Sequence, residues 1–173
     1  MDILYNVDEL YLQALDELNY GETPKAMHYF NTIIGKDPDY ARAYYQLGHL
    51  YFYEFKNYQT AGFYLKKCIE LDPNFPDVYV HYLKLLITLK MQKSIQQTAD
   101  KAITTPGVCH ACIYEQLGAY AEQCLDLVTA EVHYQKAAAL ATDPDEADDL
   151  QKHIKRVSGK VKAKQKMVYS YND

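Results

Sequence analysis

One cluster in the sequence has the composition and spacing for chemistry: Cys109-His110-Ala111-Cys112, directly after Pro106-Gly107. A Cys-x-x-Cys spacing binds zinc or cycles between dithiol and disulfide, especially at a helix N-terminus, where thiolates are favoured. Structural zinc needs four ligands, and no second cysteine pair or paired histidine follows. The strand–helix–strand context of a thioredoxin motif is also missing. The pattern therefore favours small residues that pack at the start of a helix, with zinc or dithiol chemistry as the alternative.

The other residue types that build local catalytic motifs are dispersed. The seven glycines are at least 11 positions apart, which excludes a P-loop, a dinucleotide-binding fingerprint and a GxSxG nucleophile elbow. The two nearest histidines, His133 and His153, are 20 positions apart, which excludes an HExxH zinc helix. The sequence thus predicts no catalytic residues, no cofactor and no metal.

Composition indicates an ordinary folded chain. The 173 residues are 49% hydrophobic and 24% charged, both near the globular average, and the length suits one domain. The net charge of −5 is the opposite of the positive charge that is typical of nucleic-acid-binding domains. The opening residues carry acids and no basic segment, and the longest uncharged stretch, 102–114, has only 13 residues. We therefore expect no secretory signal and no transmembrane helix, and four cysteines leave a reducing cytoplasm as the expected location.

A period of about 34 residues runs through most of the chain. Four segments end in proline, at separations of 35, 33 and 38 residues: Pro38, Pro73, Pro106 and Pro144. A second register of equivalent positions repeats with a similar period and consists of Ala26, Ala61, Ile95 and Ala130. Each of these residues is followed, four and seven positions later, by an apolar or small residue. Such spacing marks one face of an α-helix. The period predicts helix pairs joined by short turns, with Thr23 as an N-cap and Pro24 as the first helical residue.

This pattern resembles the tetratricopeptide repeat (TPR) family, whose repeat has 34 residues. The resemblance covers four repeats: 7–40, 41–75, 76–110 and 111–144. The second repeat is the most faithful, with the family's signature positions at Tyr44, Leu47, Gly48, Tyr51, Ala61, Leu65, Cys68 and Pro73. The third is degenerate, because Leu83 replaces a small residue. The resemblance implies an all-α, right-handed α-solenoid of about four helix–turn–helix repeats, with a TPR domain over 1–157 and a capping helix from 145.

The C-terminal segment differs from the rest in charge. Residues 1–149 carry 11 basic and 22 acidic residues, whereas residues 150–173 carry seven basic residues and one acidic residue. Apolar residues at helical spacing predict a helix that covers the last repeat: Ala147, Leu150, Ile154, Val157 and Val161. A solvated capping helix is the simpler interpretation. The alternative is a basic tail, 158–173, that binds acidic protein, RNA or anionic membrane.

The resemblance also implies a concave groove lined by defined positions of each repeat's first helix. Those positions hold Tyr11, Leu15, Leu18, Arg42, Tyr45, His49, Phe52, Tyr53, Val80, Lys84, Ile87, Glu115, Glu122 and Gln123. The best candidates for contact with a partner are Tyr11, Arg42, Tyr45, His49, Phe52, Tyr53 and Lys84. The aromatic row from Tyr45 to Tyr53 lies on a different face from the Tyr44–Leu47–Gly48–Tyr51 packing row, so it needs a neighbouring helix, a second subunit or a ligand.

Some TPR proteins hold the acidic tail of heat-shock chaperones with a carboxylate clamp of lysines, asparagines and an arginine. Here the matching positions hold Tyr11, Leu15, Gln46, Asp77 and His81. The clamp is absent, which disfavours a co-chaperone role.

We expect a cytoplasmic, non-catalytic protein–protein interaction adaptor or scaffold that holds an apolar helix or extended peptide in its groove. Homo-oligomers and larger complexes are compatible with this role. The first alternative is a TPR chaperone for secreted proteins. The second is a metal or redox protein that uses Cys109 and Cys112. Nucleic-acid binding through the basic tail is disfavoured by the acidic charge of the rest of the chain.

Overall fold

The computed structural model describes the backbone of residues 6–170 and the side chains of residues 6–164. Residues 1–5, which bear on the predicted lack of a secretory signal, and residues 171–173 of the predicted basic tail lie outside this range. Within this range all the regular secondary-structure elements are α-helices, so the all-α prediction is confirmed. The helices are α1 (Val7–Asn19), α2 (Thr23–Lys36), α3 (Ala41–Tyr53), α4 (Tyr58–Leu71), α5 (Asp77–Thr88), α6 (Gln92–Thr104), α7 (His110–Gln123), α8 (Leu127–Leu140) and α9 (Pro144–Ser170).

The helices form two compact units, residues 1–85 and residues 86–173, which we call the N-terminal and C-terminal units. In the N-terminal unit α1 packs against α2, α2 against α3, and α3 against α4. In the C-terminal unit α6 packs against α7, α7 against α8, and α8 against α9. The boundary falls inside α5. The N-terminal unit therefore contains the predicted pairs α1–α2 and α3–α4, and the C-terminal unit contains α7–α8. The predicted third pair, α5 and α6, is divided by the boundary.

Small residues bring paired helices close together. The predicted register is confirmed, since its four members are buried: Ala26, Ala61, Ile95 and Ala130. Gly48 of α3 and Gly118 of α7 allow the closest approaches, to Leu65 and to the ring of Tyr134. Apolar side chains fill the remaining space, with Phe30, Ile33 and Leu47 in the core of the N-terminal unit. Burial of this apolar surface provides the main stabilisation of each helix pair.

The start of α2 differs from the prediction. Thr23 is the first residue of the helix and Glu22 precedes it as the N-cap without a side-chain hydrogen bond. The Thr23 hydroxyl instead donates to Oε2 of Glu54 at 3.2 Å. The N-cap assignment of Thr23 was therefore wrong, although Pro24 does lie in the first turn, where its missing N–H costs nothing.

The C-terminal helix α9 covers the last repeat as predicted. Leu150 and Val157 are buried, and Ile154 and Val161 pack against the same core cluster. The helix begins at Pro144 and continues to Ser170, so most of the residues in the predicted basic tail are helical. Among the residues that the structure describes, no helix combines the length and hydrophobicity needed to cross a membrane.

Candidate functional site

A group of aromatic and imidazole side chains lies on one face of the N-terminal unit. Helix α3 presents three of its members at four-residue spacing, the loop after α4 supplies one, and α5 supplies two. We call this group the aromatic–imidazole cluster, and it consists of Tyr45, His49, Tyr53, Phe75, His81 and Lys84. Residues four apart on a helix lie one turn above each other, which explains how α3 alone builds half of the cluster.

The rings of the cluster are in direct contact. The ring centroid of Tyr45 lies 5.1 Å from that of Phe75 and 5.8 Å from that of His81. His49 lies 4.9 Å from His81 in an edge-to-face arrangement and 4.5 Å from Tyr53. Aromatic pairs at these separations are each stabilising by about 0.5–1.5 kcal/mol beyond the area they bury. The row that the sequence left without a partner therefore packs against α5.

Two polar contacts fix the end of the cluster near Tyr53. The Tyr53 hydroxyl and Nδ1 of His81 are joined by a hydrogen bond of 2.9 Å. The Lys84 ammonium lies 5.3 Å from the centroid of the Tyr53 ring, within the range of a cation–π contact. Tyr53, His81 and Lys84 therefore hold each other in place, and the first two keep part of their surface in solvent.

Burial keeps the tyrosine and histidine side chains of the cluster neutral at physiological pH. Burial, with a smaller contribution from Asp77, raises the pKa of Tyr45 to about 12, and burial also raises the pKa of Tyr53. Burial lowers the pKa of His49, and burial together with His49 and Lys84 lowers the pKa of His81 to about 4. The imidazoles are therefore uncharged and the hydroxyls protonated. Such a surface can stack on apolar groups and exchange hydrogen bonds, which is the chemistry of binding.

The lowered pKa of His81 predicts acid destabilisation of the N-terminal unit. The unfolded chain takes up a proton near the ordinary value of 6.5, whereas the folded chain does so only near 4. The free energy of unfolding should fall as the pH drops from about 6.5 to about 4, by on the order of 2 kcal/mol after allowance for solvent at the ring. Urea unfolding at several pH values measures this slope. The variant His81→Asn should flatten it, and an unchanged slope would contradict the assignment.

The other candidate groove residues have different surroundings. Tyr11 contacts the rings of Phe30 and Tyr40, and its hydroxyl accepts a hydrogen bond of 3.1 Å from the Gln46 amide. Arg42 is exposed, one turn before Tyr45. The structure thus brings Tyr45, His49, Tyr53 and Lys84 together. Tyr11 lies near enough to Tyr45 to contribute to the raised pKa of its hydroxyl, but its own ring contacts are with Phe30 and Tyr40.

Phe52 is a core residue rather than part of the groove. Its side chain is 5% exposed, and its ring contacts that of Tyr58 at the start of α4. Ile87 is buried as well. Glu122 is engaged by Arg156 and, at 2.8 Å, by Lys160 of α9. These three positions of the predicted groove serve packing within the chain.

Sequence reasoning did not assign Phe75 or His81 to the binding surface. The sequence places His81 only at a position of the missing carboxylate clamp, and it gives no signal for Phe75. Position 81 lies one repeat of 35 residues after Gln46 and not after a member of the aromatic row, so the period alone does not assign it to the binding surface.

The C-terminal unit contains a separate cleft of about 720 Å³, which the sequence did not predict. Helices α6, α7 and α8 line it with Gln92, Gln96, Tyr120, Cys124 and His133, among others. The His133 ring lies against that of Tyr114, and its Nδ1 is buried without a hydrogen-bond partner among the described residues. The cleft combines amide, hydroxyl, thiol and imidazole groups and is suited to a polar ligand.

The cysteine pair lies at the start of α7 and forms a disulfide. Cys109 is the N-cap, and its Sγ accepts a hydrogen bond from the backbone N–H of Cys112 at 3.2 Å. Sγ of Cys112 lies 4.0 Å from Oε1 of Glu146 in the first turn of α9. The two sulfurs and this carboxylate oxygen all lie within 4.8 Å of one another, so reduction of the disulfide would expose a three-ligand group for a thiophilic metal.

These features are those of a helical-repeat fold, in which each helix pair packs against its neighbours along the chain within a unit. Residues 41–75 match the family model described as tetratricopeptide repeat, which confirms the resemblance seen in the sequence. Proteins of this repeat family commonly serve as protein–protein interaction scaffolds and are in general non-catalytic. The comparison with curated protein sequences found no match.

Several solved structures share the fold. PilW, described as a widely conserved type IV pilus biogenesis factor, is 15% identical in sequence to this chain. The superposition has a TM-score of 0.69 and covers 88% of this chain and 78% of PilW. PilF of Pseudomonas aeruginosa is 20% identical with a TM-score of 0.72, covering 92% of this chain and 72% of PilF. A thermophilic TPR protein of Thermus thermophilus, TTC0263, is 17% identical with a TM-score of 0.70, covering 88% of this chain and 84% of TTC0263. These likenesses confirm the solenoid-like repeat fold.

Proposed function

We propose that this chain is an adaptor whose aromatic–imidazole cluster binds one segment of a partner protein. The observation that carries the proposal is the cluster itself, six side chains from α3, α5 and the loop before α5 in contact on one face. A set of core residues would be fully buried. Here Tyr45, His49, Tyr53 and His81 each keep part of their surface in solvent.

The chemistry of the cluster favours a partner segment with an apolar anchor side chain. Neutral tyrosine and histidine rings offer large, rigid surfaces whose ordering on binding costs little conformational entropy. Residues of this kind are the usual energetic centres of protein interfaces. The exposed Arg42 lies one turn away on α3 and adds a charged rim. An amphipathic helix or an extended peptide satisfies these features.

The adaptor needs no resident cofactor or metal, and its proposed location is the cytoplasm. A larger assembly or a homo-oligomer is compatible with one occupied cluster per chain. The chaperone alternative differs in its client, an insoluble secreted protein, and no feature of the cluster favours it over an adaptor.

Binding of selected peptides tests the proposal. Peptides are selected from a random phage-displayed library on the immobilised full chain, and their affinities are measured by fluorescence anisotropy. We expect Tyr45→Ala to weaken the selected peptides by about 10- to 100-fold, because truncation of an aromatic hot-spot residue typically costs about 2 kcal/mol or more. Arg42→Ala, which changes an exposed rim residue, should weaken them by about two- to fivefold.

The matched control is Phe63→Ala in α4 of the same unit. Phe63 is 63% exposed and lies outside the cluster, so the same peptides should bind this variant within about twofold of the parent chain. Circular dichroism verifies that all three variants are folded. Equal affinity of the parent, Tyr45→Ala and Arg42→Ala chains would place the binding site elsewhere and would overturn the proposal.

A further inference from the structure

The cysteine pair at the start of α7 is flanked by buried residues. Val108, Ala111 and Ile113 are buried and anchor the segment in the C-terminal unit. Cys109 is exposed, whereas Cys112 is half-buried one helical turn later. The two residues therefore differ in exposure, although the disulfide joins them.

The disulfide is poorly placed to stabilise the fold. It joins residues only three positions apart within one helical turn, and it links no two helices. A disulfide that closes so short a loop removes the least conformational entropy from the unfolded chain. Stabilisation of the fold is thus a weak explanation for this bond.

The surroundings of the two sulfurs are suited to thiol–disulfide exchange. Cys109 is the N-cap of a 14-residue helix, where the helix dipole and the free N–H groups stabilise a thiolate. Its Sγ already accepts one of those N–H groups, that of Cys112. An exposed thiolate stabilised in this way is the nucleophile of such exchange.

The carboxylate of Glu146 lies beside the second sulfur. Asp143 caps α9 by accepting the backbone N–H groups of Asp145 at 2.9 Å and Glu146 at 3.1 Å, which fixes the first turn of that helix. Oε1 of Glu146 then lies 4.0 Å from Sγ of Cys112. This distance allows the carboxylate to take the Cys112 proton, directly or through one water molecule.

We propose that Cys109 and Cys112 form a redox-active dithiol–disulfide site that exchanges with small-molecule disulfides of the glutathione type. The Cys109 thiolate attacks one sulfur of the small disulfide, forms a mixed disulfide and releases one thiolate. Cys112 then gives its proton to Glu146 and attacks Cys109 Sγ, which closes the protein disulfide and releases the second thiolate. That thiolate takes the proton from Glu146, and the first thiolate takes one from water. The protein loses two electrons and two protons, and the small disulfide becomes two thiols. The site is independent of the adaptor surface, so either proposal can fail alone.

The test uses the full chain carrying Cys124→Ser, because Cys124 is an exposed free thiol that would also react. Cys68 stays in place, since it is buried and burial raises the pKa of its thiol to about 12. The reduced protein is mixed with glutathione disulfide and quenched at intervals for intact-mass analysis. We expect rapid formation of the Cys109–Cys112 disulfide, reversed by excess reduced glutathione.

Four variants in the same background separate the steps. Cys112→Ser should accumulate one glutathione adduct at Cys109, and Cys109→Ser should form its adduct at least about tenfold more slowly. Glu146→Gln should leave the first step unchanged and slow closure of the disulfide by about three- to tenfold at neutral pH. A closure rate in Glu146→Asp close to that of the parent would show that the carboxylate at position 146 acts by proton transfer and not only as a structural contact.

Two results would overturn the proposal. In the first, the folded protein neither forms the disulfide with glutathione disulfide nor loses it with excess glutathione. In the second, the reduced chain binds one equivalent of Zn²⁺ tightly and is thereby protected from glutathione disulfide, which would make Cys109, Cys112 and Glu146 a metal site instead.

Discussion

Replacing Tyr134 by Ala is expected to lower the free energy of unfolding of the C-terminal unit by about 3–5 kcal/mol, the usual cost of deleting a buried aromatic ring. Tyr134 is 2% exposed, and its ring fills the space above Gly118 and stacks on that of His153 of α9 at 5.0 Å. Its hydroxyl also donates to Glu122 at 3.3 Å. The substitution therefore removes contacts to both α7 and α9.

Urea unfolding followed by circular dichroism measures this loss. The control is Tyr20→Ala, since Tyr20 is 83% exposed and should change stability by no more than about 0.5 kcal/mol. Nearly equal midpoints for the two variants would show that Tyr134 is not a core residue and would contradict the packing of α9 on α8.

Two glycine-to-alanine substitutions in neighbouring helices are expected to have opposite effects. A Cβ at Gly48 would lie 2.7 Å from two side-chain atoms of Leu65 and 3.0 Å from its backbone N, so α3 and α4 must separate. We expect a loss of about 1–3 kcal/mol, because overpacking outweighs the gain in helix propensity. At Gly62 the nearest atom is Leu85 Cδ2 at 3.6 Å, an ordinary contact. Here the substitution should stabilise by about 0.5–1 kcal/mol.

Thermal unfolding of the parent chain and both variants tests this contrast. A higher Tm for Gly62→Ala and a lower Tm for Gly48→Ala are the expected results. Stabilisation by both substitutions would show that α3 and α4 are less closely packed than the structure has them.

The helices and their buried faces were predictable because each follows from local spacing. The small-residue register identified buried positions such as Ala26 and Ala61, and the apolar row of α9 identified Leu150 and Val157. Helical periodicity fixes which side of a helix is apolar and therefore which side is buried. The cap at Thr23 was mispredicted because its competing acceptor, Glu54, lies 31 residues away.

The contacts of the candidate sites were less predictable because they join consecutive repeats. Tyr11 and Gln46 are 35 residues apart, Cys112 and Glu146 are 34 apart, and Glu122 and Arg156 are also 34 apart. A repeat of this length places equivalent positions side by side. The period indicates which positions come near each other, but the chemistry of each pair depends on the residues there.

The position of Phe52 shows where the family pattern fails for an individual residue. The pattern assigned it to the groove together with Tyr45 and His49. The structure instead directs its ring towards Tyr58 of α4. A groove position in one repeat becomes a core position where a bulky neighbour on the second helix provides an apolar contact, and helical spacing alone does not reveal that neighbour.

The histidine side chains provide the most direct test of the proposed binding surface. The chain has six histidines, and two of them, His49 and His81, belong to the aromatic–imidazole cluster. A selected peptide is titrated into the full chain while the imidazole ring signals are followed by ¹H–¹³C NMR. We expect the signals of His49 and His81 to shift in proportion to binding, with those of the four other histidines unchanged. Shifts confined to His110, His133 or His153 would place the site in the C-terminal unit and contradict the proposed function.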